Sequence, residues 1–234
     1  MNTNLNQTFD SQFDKIENLT WYPWIGKDYA LSNRRILIVG DSHYAIDDNS
    51  NFDEECYNNF LSDKNNTRDY AFLYMKAEKE HSFNRNLRLC LLNIDDKTLL
   101  KSLWSKIAFY EFIQEPMKQI GRNGKPTVEQ YKIAWNVFVK LVEIIEPTDC
   151  IFIGVRSETC FDYCMNQLDI IHRPIVNMPE KINGTPPREA FIQLSNKHNL
   201  RLLFIKHTSR GFFYSDWHEF LKKEMPEAMK FLNS

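Results

Sequence analysis

A chain of 234 residues with 43% hydrophobic and 14% aromatic content is long and apolar enough to bury one sizeable core, which excludes intrinsic disorder. Its formal charge of −2 excludes a global electrostatic pull on nucleic acid, so any such binding needs a local basic rim. No apolar run approaches the length that spans a bilayer, and Met1-Asn2-Thr3-Asn4-Leu5-Asn6-Gln7 lacks the basic start and apolar stretch of a signal peptide. A cytoplasmic location is expected.

No repeat, low-complexity tract or linker divides the chain, so residues 1–234 read as a single domain. Residues 1–20 are polar and read as a loose or short helical lead-in. Trp21-Tyr22-Pro23-Trp24-Ile25-Gly26 is an aromatic turn segment that packs on the body. Arg35-Ile36-Leu37-Ile38-Val39-Gly40 is a short continuous apolar run, the pattern of a strand covered on both faces. Residues 52–103 read as helical, with Tyr70, Leu73, Tyr74 and Ala77 forming one stripe and Leu87, Cys90 and Leu91 continuing it. A second strand follows over 107–112.

Thr127 and Gln130 form a capping box for a helix to about Ile145. Its inner face carries Tyr131, Ala134, Trp135, Phe138, Leu141, Val142 and Ile145, and Pro147 closes it. Cys150-Ile151-Phe152-Ile153-Gly154 is a third buried strand, with Ser157 placed to cap the next helix. Pro174-Ile175-Val176 reads as a further short strand. Pro186-Pro187 opens an expected helix to about Lys197, Arg201 to Lys206 is the last strand, and Ser215 caps a helix through Leu221. Strands alternating with helices imply a three-layer α/β/α sandwich around a mostly parallel four-stranded sheet. Cys56, Cys90, Cys150, Cys160 and Cys164 are odd in number and lack the spacing of a zinc site. Cys160 and Cys164 sit four apart on one face of an expected helix and read as buried thiols. No metal and no cofactor is expected.

In open α/β sheets ligands bind outside the carboxyl ends of the strands. Two strand-end loops there concentrate reactive side chains. One is Gly40-Asp41-Ser42-His43-Tyr44, where glycine lets the backbone turn before an acid, a hydroxyl, an imidazole and a phenol. The other is His207-Thr208-Ser209-Arg210-Gly211-Phe212. Each also has a bland reading: Asp41 and Ser42 cap a helix, or His207 is a satisfied histidine at a strand end.

In the order of these elements, over about residues 34–221, the chain resembles the uracil-DNA glycosylase superfamily. In that family an early strand ends in a glycine-led loop with the water-activating acid, and a later strand ends in a loop that begins with histidine and carries a serine two residues on. The resemblance implies catalytic roles for Asp41, which orients water, and His207, which stabilises the departing base. It implies DNA or a related nucleotide as substrate, with the base flipped out of the stack and read at its edge. Gly40, Ser42, His43, Tyr44, Glu111 and Ser209 would form the substrate pocket. Arg156, Lys206 and Arg210 would contact phosphates, and Phe212 or Phe213 would wedge into the vacated stack. Ser42 stands where the best-known branch has its catalytic aspartate. Glu111 falls where such pockets often present an asparagine, and as a carboxylate it would prefer a donor-rich base edge.

Two other readings stay open. Gly40-Asp41-Ser42 also suits the serine motif of SGNH-type esterases, with Ser42 as nucleophile, His218 as base and Asp216 as its orienter. Asp216 and His218 equally suit the first turn of a helix. A catalytically inactive module that stacks bases or a nucleotide on exposed aromatic rings is the third. Lys76, Glu78, Lys79 and Glu80 read as a solvated helix face, and His81, His172 and His198 form no constellation.

Overall fold

A computed structural model describes residues 4–47, 49–78, 81–119, 124–154, 159–209 and 211–234. In chain order the elements are α1 (Asp10–Phe13), β1 (Trp24–Ile25), β2 (Ile36–Gly40), α2 (Glu54–Ser62), α3 (Asn66–Met75), α4 (Ser82–Leu92), α5 (Leu100–Lys106), β3 (Ile107–Glu111), α6 (Val128–Ile145), β4 (Asp149–Ile153), α7 (Phe161–Gln167), β5 (His172–Asn177), β6 (Arg188–Gln193), β7 (Asn199–Ile205), α8 (Tyr214–Glu224) and α9 (Pro226–Leu232). They build an α/β domain on a seven-stranded mixed sheet of order β1-β3-β2-β4-β7-β6-β5. Its centre, β3-β2-β4-β7, is parallel, and β1, β6 and β5 pair antiparallel at the two sides. The sheet is therefore larger than the four strands expected.

Alternation along the central strands sorts the core into two halves. Leu37, Val39, Ala108, Tyr110, Cys150, Phe152, Leu202 and Phe204 face α6, α7 and the N-terminal segment. Ile36, Ile38, Ile107, Phe109, Ile151, Ile153, Leu203 and Ile205 face α3, α4, α5, α8 and α9. Both faces being covered explains why these strands read as unbroken apolar runs. The capping box at Thr127 and Gln130 forms as its spacing implies, and every residue expected on the inner face of α6 is buried.

The additional strands come from segments with weaker signals. Residues 188–193 form β6 rather than a helix, because they pair on both sides, with β5 and with β7. A tight reversal at 194–198 joins β6 to β7: Leu194 N–H bonds the His198 carbonyl at 2.9 Å, and Lys197 turns with φ +66°. Pro186-Pro187 thus leads into extended backbone, which proline tolerates as well as it does a helix start. β1 supplies only Trp24 and Ile25, set against Phe109 and Ala108.

Of the two forms expected for the N-terminal segment, the short helical one is present as α1, and the segment is held on the body. Phe13, Ile16 and Leu19 are buried in the core, and the buried Arg68 of α3 pairs with Asp10 at 2.6 Å while donating to the Pro23 carbonyl at 3.0 Å. The buried stripe of α3 is Thr67, Arg68, Ala71 and Met75, rotated from the expected Tyr70–Leu73–Tyr74–Ala77 stripe. Ser215 lies inside α8, whose N-cap is Phe213, and bonds Asp216. Cys160 is the N-cap of α7 and only Cys164 lies within it; the thiols are free. The expected cap Ser157 lies outside the described residues.

Candidate functional site

Parallel order dictates where a cleft opens. From β2 the chain crosses to β3 on one side, whereas from β4 it continues to strands on the other. The connections leaving β2 and β4 therefore diverge, and it is outside such a switch point that open α/β sheets bind ligands. The two-residue period then selects the side chains there. Gly40 continues the Ile36–Ile38 set, Glu111 continues Ile107–Phe109, and His207 continues Leu203–Ile205, so all three belong to the face covered by α3 and α4.

Gly40 is required by close approach. A Cβ at this position would lie 2.9 Å from Cδ of Glu111, its register partner on β3, and 3.1 Å from Cζ of Phe109. Beyond the strands the two chains stay paired: Phe112 N–H bonds Gly40 O at 3.2 Å, Ile113 N–H bonds Asp41 O at 2.9 Å, and Met117 N–H bonds His43 O at 2.8 Å. Asp41 is thereby held next to Glu111. Gln114 locks the far side, donating to the Glu111 carbonyl and accepting from Trp21 N–H at 2.8 Å.

Glu111 is only 7% exposed, and no described residue hydrogen-bonds or ion-pairs with its carboxyl. Burial, reinforced by the Asp41 carboxylate, raises its pKa from 4.5 to about 8. His207 is pushed below its ordinary value by burial, against the opposing pull of Asp41. It is neutral at pH 7, and its tautomer follows from one bond: Nδ1 accepts from the Ser209 backbone N–H at 3.2 Å. The proton therefore sits on Nε2, which bonds no described residue. Ser209 contributes its backbone to this arrangement.

Aromatic rings run beside these groups. Tyr70 meets Tyr74 at 6.1 Å between centroids, Tyr74 meets Phe83 at 6.4 Å, and Phe83 meets His207 at 5.5 Å. Burial raises the phenol pKa of Tyr44, Tyr70 and Tyr74, and Glu111 adds to the shift in each; Asp41 also acts on Tyr44. Asp41, Glu111 and His207 thus lie beside an aromatic wall from α3 and α4. Tyr70, Tyr74, Phe83 and Asn86 were not singled out from sequence, because aromatic residues at helical spacing read as core. Asn86 Nδ2 donates to the Thr208 carbonyl at 2.7 Å and Thr208 Oγ donates to the Phe83 carbonyl at 3.1 Å, which ties the histidine loop to α4.

Several candidates take other places. His43 is buried between Trp21, Phe60 and Tyr70, with burial lowering its pKa to about 3, so it is a neutral core ring and not a pocket wall. Ser42 Oγ donates to the Glu115 carbonyl at 2.8 Å and braces the loop. His218 Nδ1 bonds the Cys90 carbonyl at 2.8 Å, and Asp216 accepts from Asn183 at 2.7 Å. Among the described residues no Ser42–His218–Asp216 hydrogen-bond chain exists. Phe212 is buried and stacks on Trp217 at 5.9 Å, which removes it as a wedge, whereas Phe213 is 57% exposed. Lys206 Nζ donates to the Gly211 carbonyl at 2.6 Å, closing its own loop, where Gly211 adopts φ +70°. Arg156 and Arg210 lie outside the described residues.

Among the described residues no group of three or more His, Cys, Asp or Glu side chains is placed to hold a metal ion, and no helix is long and apolar enough to cross a membrane. Compared with known proteins, the chain matches no family model and no curated protein.

Proposed function

We propose that the crevice binds a flipped-out base and hydrolyses its N-glycosidic bond, in the manner of the uracil-DNA glycosylase superfamily. One observation carries the reading: at the carboxyl edge of the sheet Asp41 lies near His207, whose Nδ1 accepts from the Ser209 N–H so that Nε2 is left to donate, and Phe83 packs beside the imidazole. In the reaction, the oxygen of a water molecule oriented by Asp41 bonds to C1′ of the sugar, and the carbon–nitrogen bond breaks with its electron pair leaving on the base. Asp41 accepts a proton from the water and stabilises the positive charge that gathers on the sugar. His207 Nε2–H donates to the carbonyl oxygen on which negative charge gathers. A neutral imidazole serves here because it is a donor whose proton stays in place as that charge grows.

Stacking on the Tyr74–Phe83 wall would supply sequence-tolerant binding of the base, and Phe213 is the exposed ring available to fill the gap it leaves. The serine-hydrolase reading finds no support in the hydrogen bonds of Ser42, Asp216 and His218. The test is incubation with single-stranded oligonucleotides carrying uracil, hypoxanthine or another modified base, followed by alkali. Strand cleavage at the modified position is expected. An intact strand for every base tried would count against excision and in favour of binding alone.

A further inference from the structure

The chemistry above has no use for the buried carboxyl of Glu111. It is 7% exposed, it lies against the bare Cα of Gly40, and among the described residues nothing donates a proton to it. A buried polar group without a partner costs stability, and retention of such a group at a cleft points to a ligand that satisfies it.

We infer that Glu111 is the residue that reads the base edge, and that it reads it as a neutral carboxylic acid, offering one O–H donor and one C=O acceptor side by side. This inference rests on the base-excision reading of the crevice. It reverses what the residue type alone suggests, because an ionised carboxylate offers acceptors only and would select a donor-rich edge. The neutral acid matches a mixed edge, such as a ring N–H beside an exocyclic C=O or a ring nitrogen beside an amino group. In hydrogen-bonding pattern it is the equivalent of a primary amide.

The surroundings determine the protonation state. Asp41 faces Glu111 from the loop after β2, Tyr44 from the same loop, and Tyr70 and Tyr74 from α3. Among these described groups three are phenols, one is a carboxyl and none is a cation. Nearby, His207 is neutral. Burial and the Asp41 charge act in the same direction, and both keep the proton on Glu111 up to about pH 8. Above that value the acid becomes a second anion beside Asp41, its donor disappears, and a mixed edge meets two acceptors. Recognition of the base is then lost on the alkaline side.

The experiment is calorimetric titration of the full chain with free uracil, hypoxanthine and cytosine between pH 6 and 9, with 3-methyluracil as a probe whose edge is blocked. For the base that binds, the dissociation constant should be level below about pH 8 and should rise toward tenfold per pH unit above it. Glu111→Gln keeps a donor and an acceptor in the same shape. It should bind within about threefold of the parent at pH 6.5 and lose the alkaline rise, while also reporting any ionisation of the probe itself. If uracil is the base that binds, 3-methyluracil should bind at least tenfold more weakly to the unaltered chain, a comparison that needs no variant. A parent profile level to pH 9, or an alkaline rise that persists in Glu111→Gln, overturns the inference. If oligonucleotide cleavage is seen alongside either result, the excision reading stands without this role for Glu111. Failure of all three bases to bind, together with uncleaved oligonucleotides, overturns both.

Discussion

Glu111 carries a stability cost as well as a proposed role, and the two can be measured separately. Its folded pKa of about 8 lies above the ordinary value of 4.5 that it regains on unfolding. The unfolded state therefore releases a proton that the folded state keeps, and the parent loses stability as pH rises from 4.5 towards 8. Replacement by glutamine removes the ionisation. Denaturant titration should show Glu111→Gln gaining on the parent by up to about 1.4 kcal/mol per pH unit over that window, with a constant difference above about pH 8. A difference independent of pH would mean that the carboxyl is ionised in the fold. Asp41 works in the opposite direction on His207, raising a pKa that burial lowers, so the neutral imidazole depends on burial prevailing. His43, one residue beyond Ser42, shows why an imidazole in a promising motif is insufficient evidence: its ring packs at 5.0 Å on Phe60 and titrates only near pH 3.

Among the elements, the histidine loop depends on α4 for its position. Thr208 is fully buried and bonds the Phe83 carbonyl, while Asn86 holds the Thr208 carbonyl. Asn86→Ala removes one such bond at a cost of about 1 kcal/mol. Its expected signature is a roughly tenfold fall in excision rate with the melting temperature lowered by only a few degrees. An unchanged rate would show that the loop holds itself. At the N-terminus of α8 two neighbouring rings divide the roles of packing and exposure. Phe212→Ala should cost about 3–5 kcal/mol in denaturant titration, because the ring is buried on Trp217. Phe213→Ala should change stability by less than about 0.5 kcal/mol and weaken oligonucleotide binding. Equal stability effects would contradict this division.

The same contrast governs how much of these elements is legible in the residues. β2, β3, β4 and β7 are evident because strands buried on both faces leave unbroken apolar runs, as in Ile36–Val39 and Leu202–Ile205. α6 is evident because Thr127 and Gln130 cap it. β6 is not, since half of Arg188–Gln193 is polar and its strand character comes from neighbours supplied by β5 and β7. β1 is set by two residues whose partners lie more than eighty positions away.

For the whole molecule, strand order converts a one-dimensional list of residues into a site. Asp41, Glu111 and His207 are far apart in sequence, yet each stands at the carboxyl end of a strand of the parallel centre, and the two-residue period places Glu111 and His207 on one face. That much follows from locating the strands. The aromatic wall does not, because Tyr70, Tyr74 and Phe83 pack against the core clusters and share the helical spacing of core residues. Nor does the protonation state of Glu111, which depends on the Gly40 surface behind it and on Asp41 beside it. The covering of the sheet by the N-terminal segment, through Phe13 and the Arg68–Asp10 pair, likewise arises from contacts between distant residues.

The most direct measurement of the central claim is chromatographic quantification of free base released from a modified oligonucleotide by the parent, Asp41→Asn, His207→Ala and Ser42→Ala chains at pH 7. The parent and Ser42→Ala should release base at rates within a few-fold of each other, because Ser42 only braces a carbonyl. Asp41→Asn and His207→Ala should each be slower by about a hundredfold or more. Release that is undiminished in Asp41→Asn and His207→Ala, or abolished in a folded Ser42→Ala, would contradict the account.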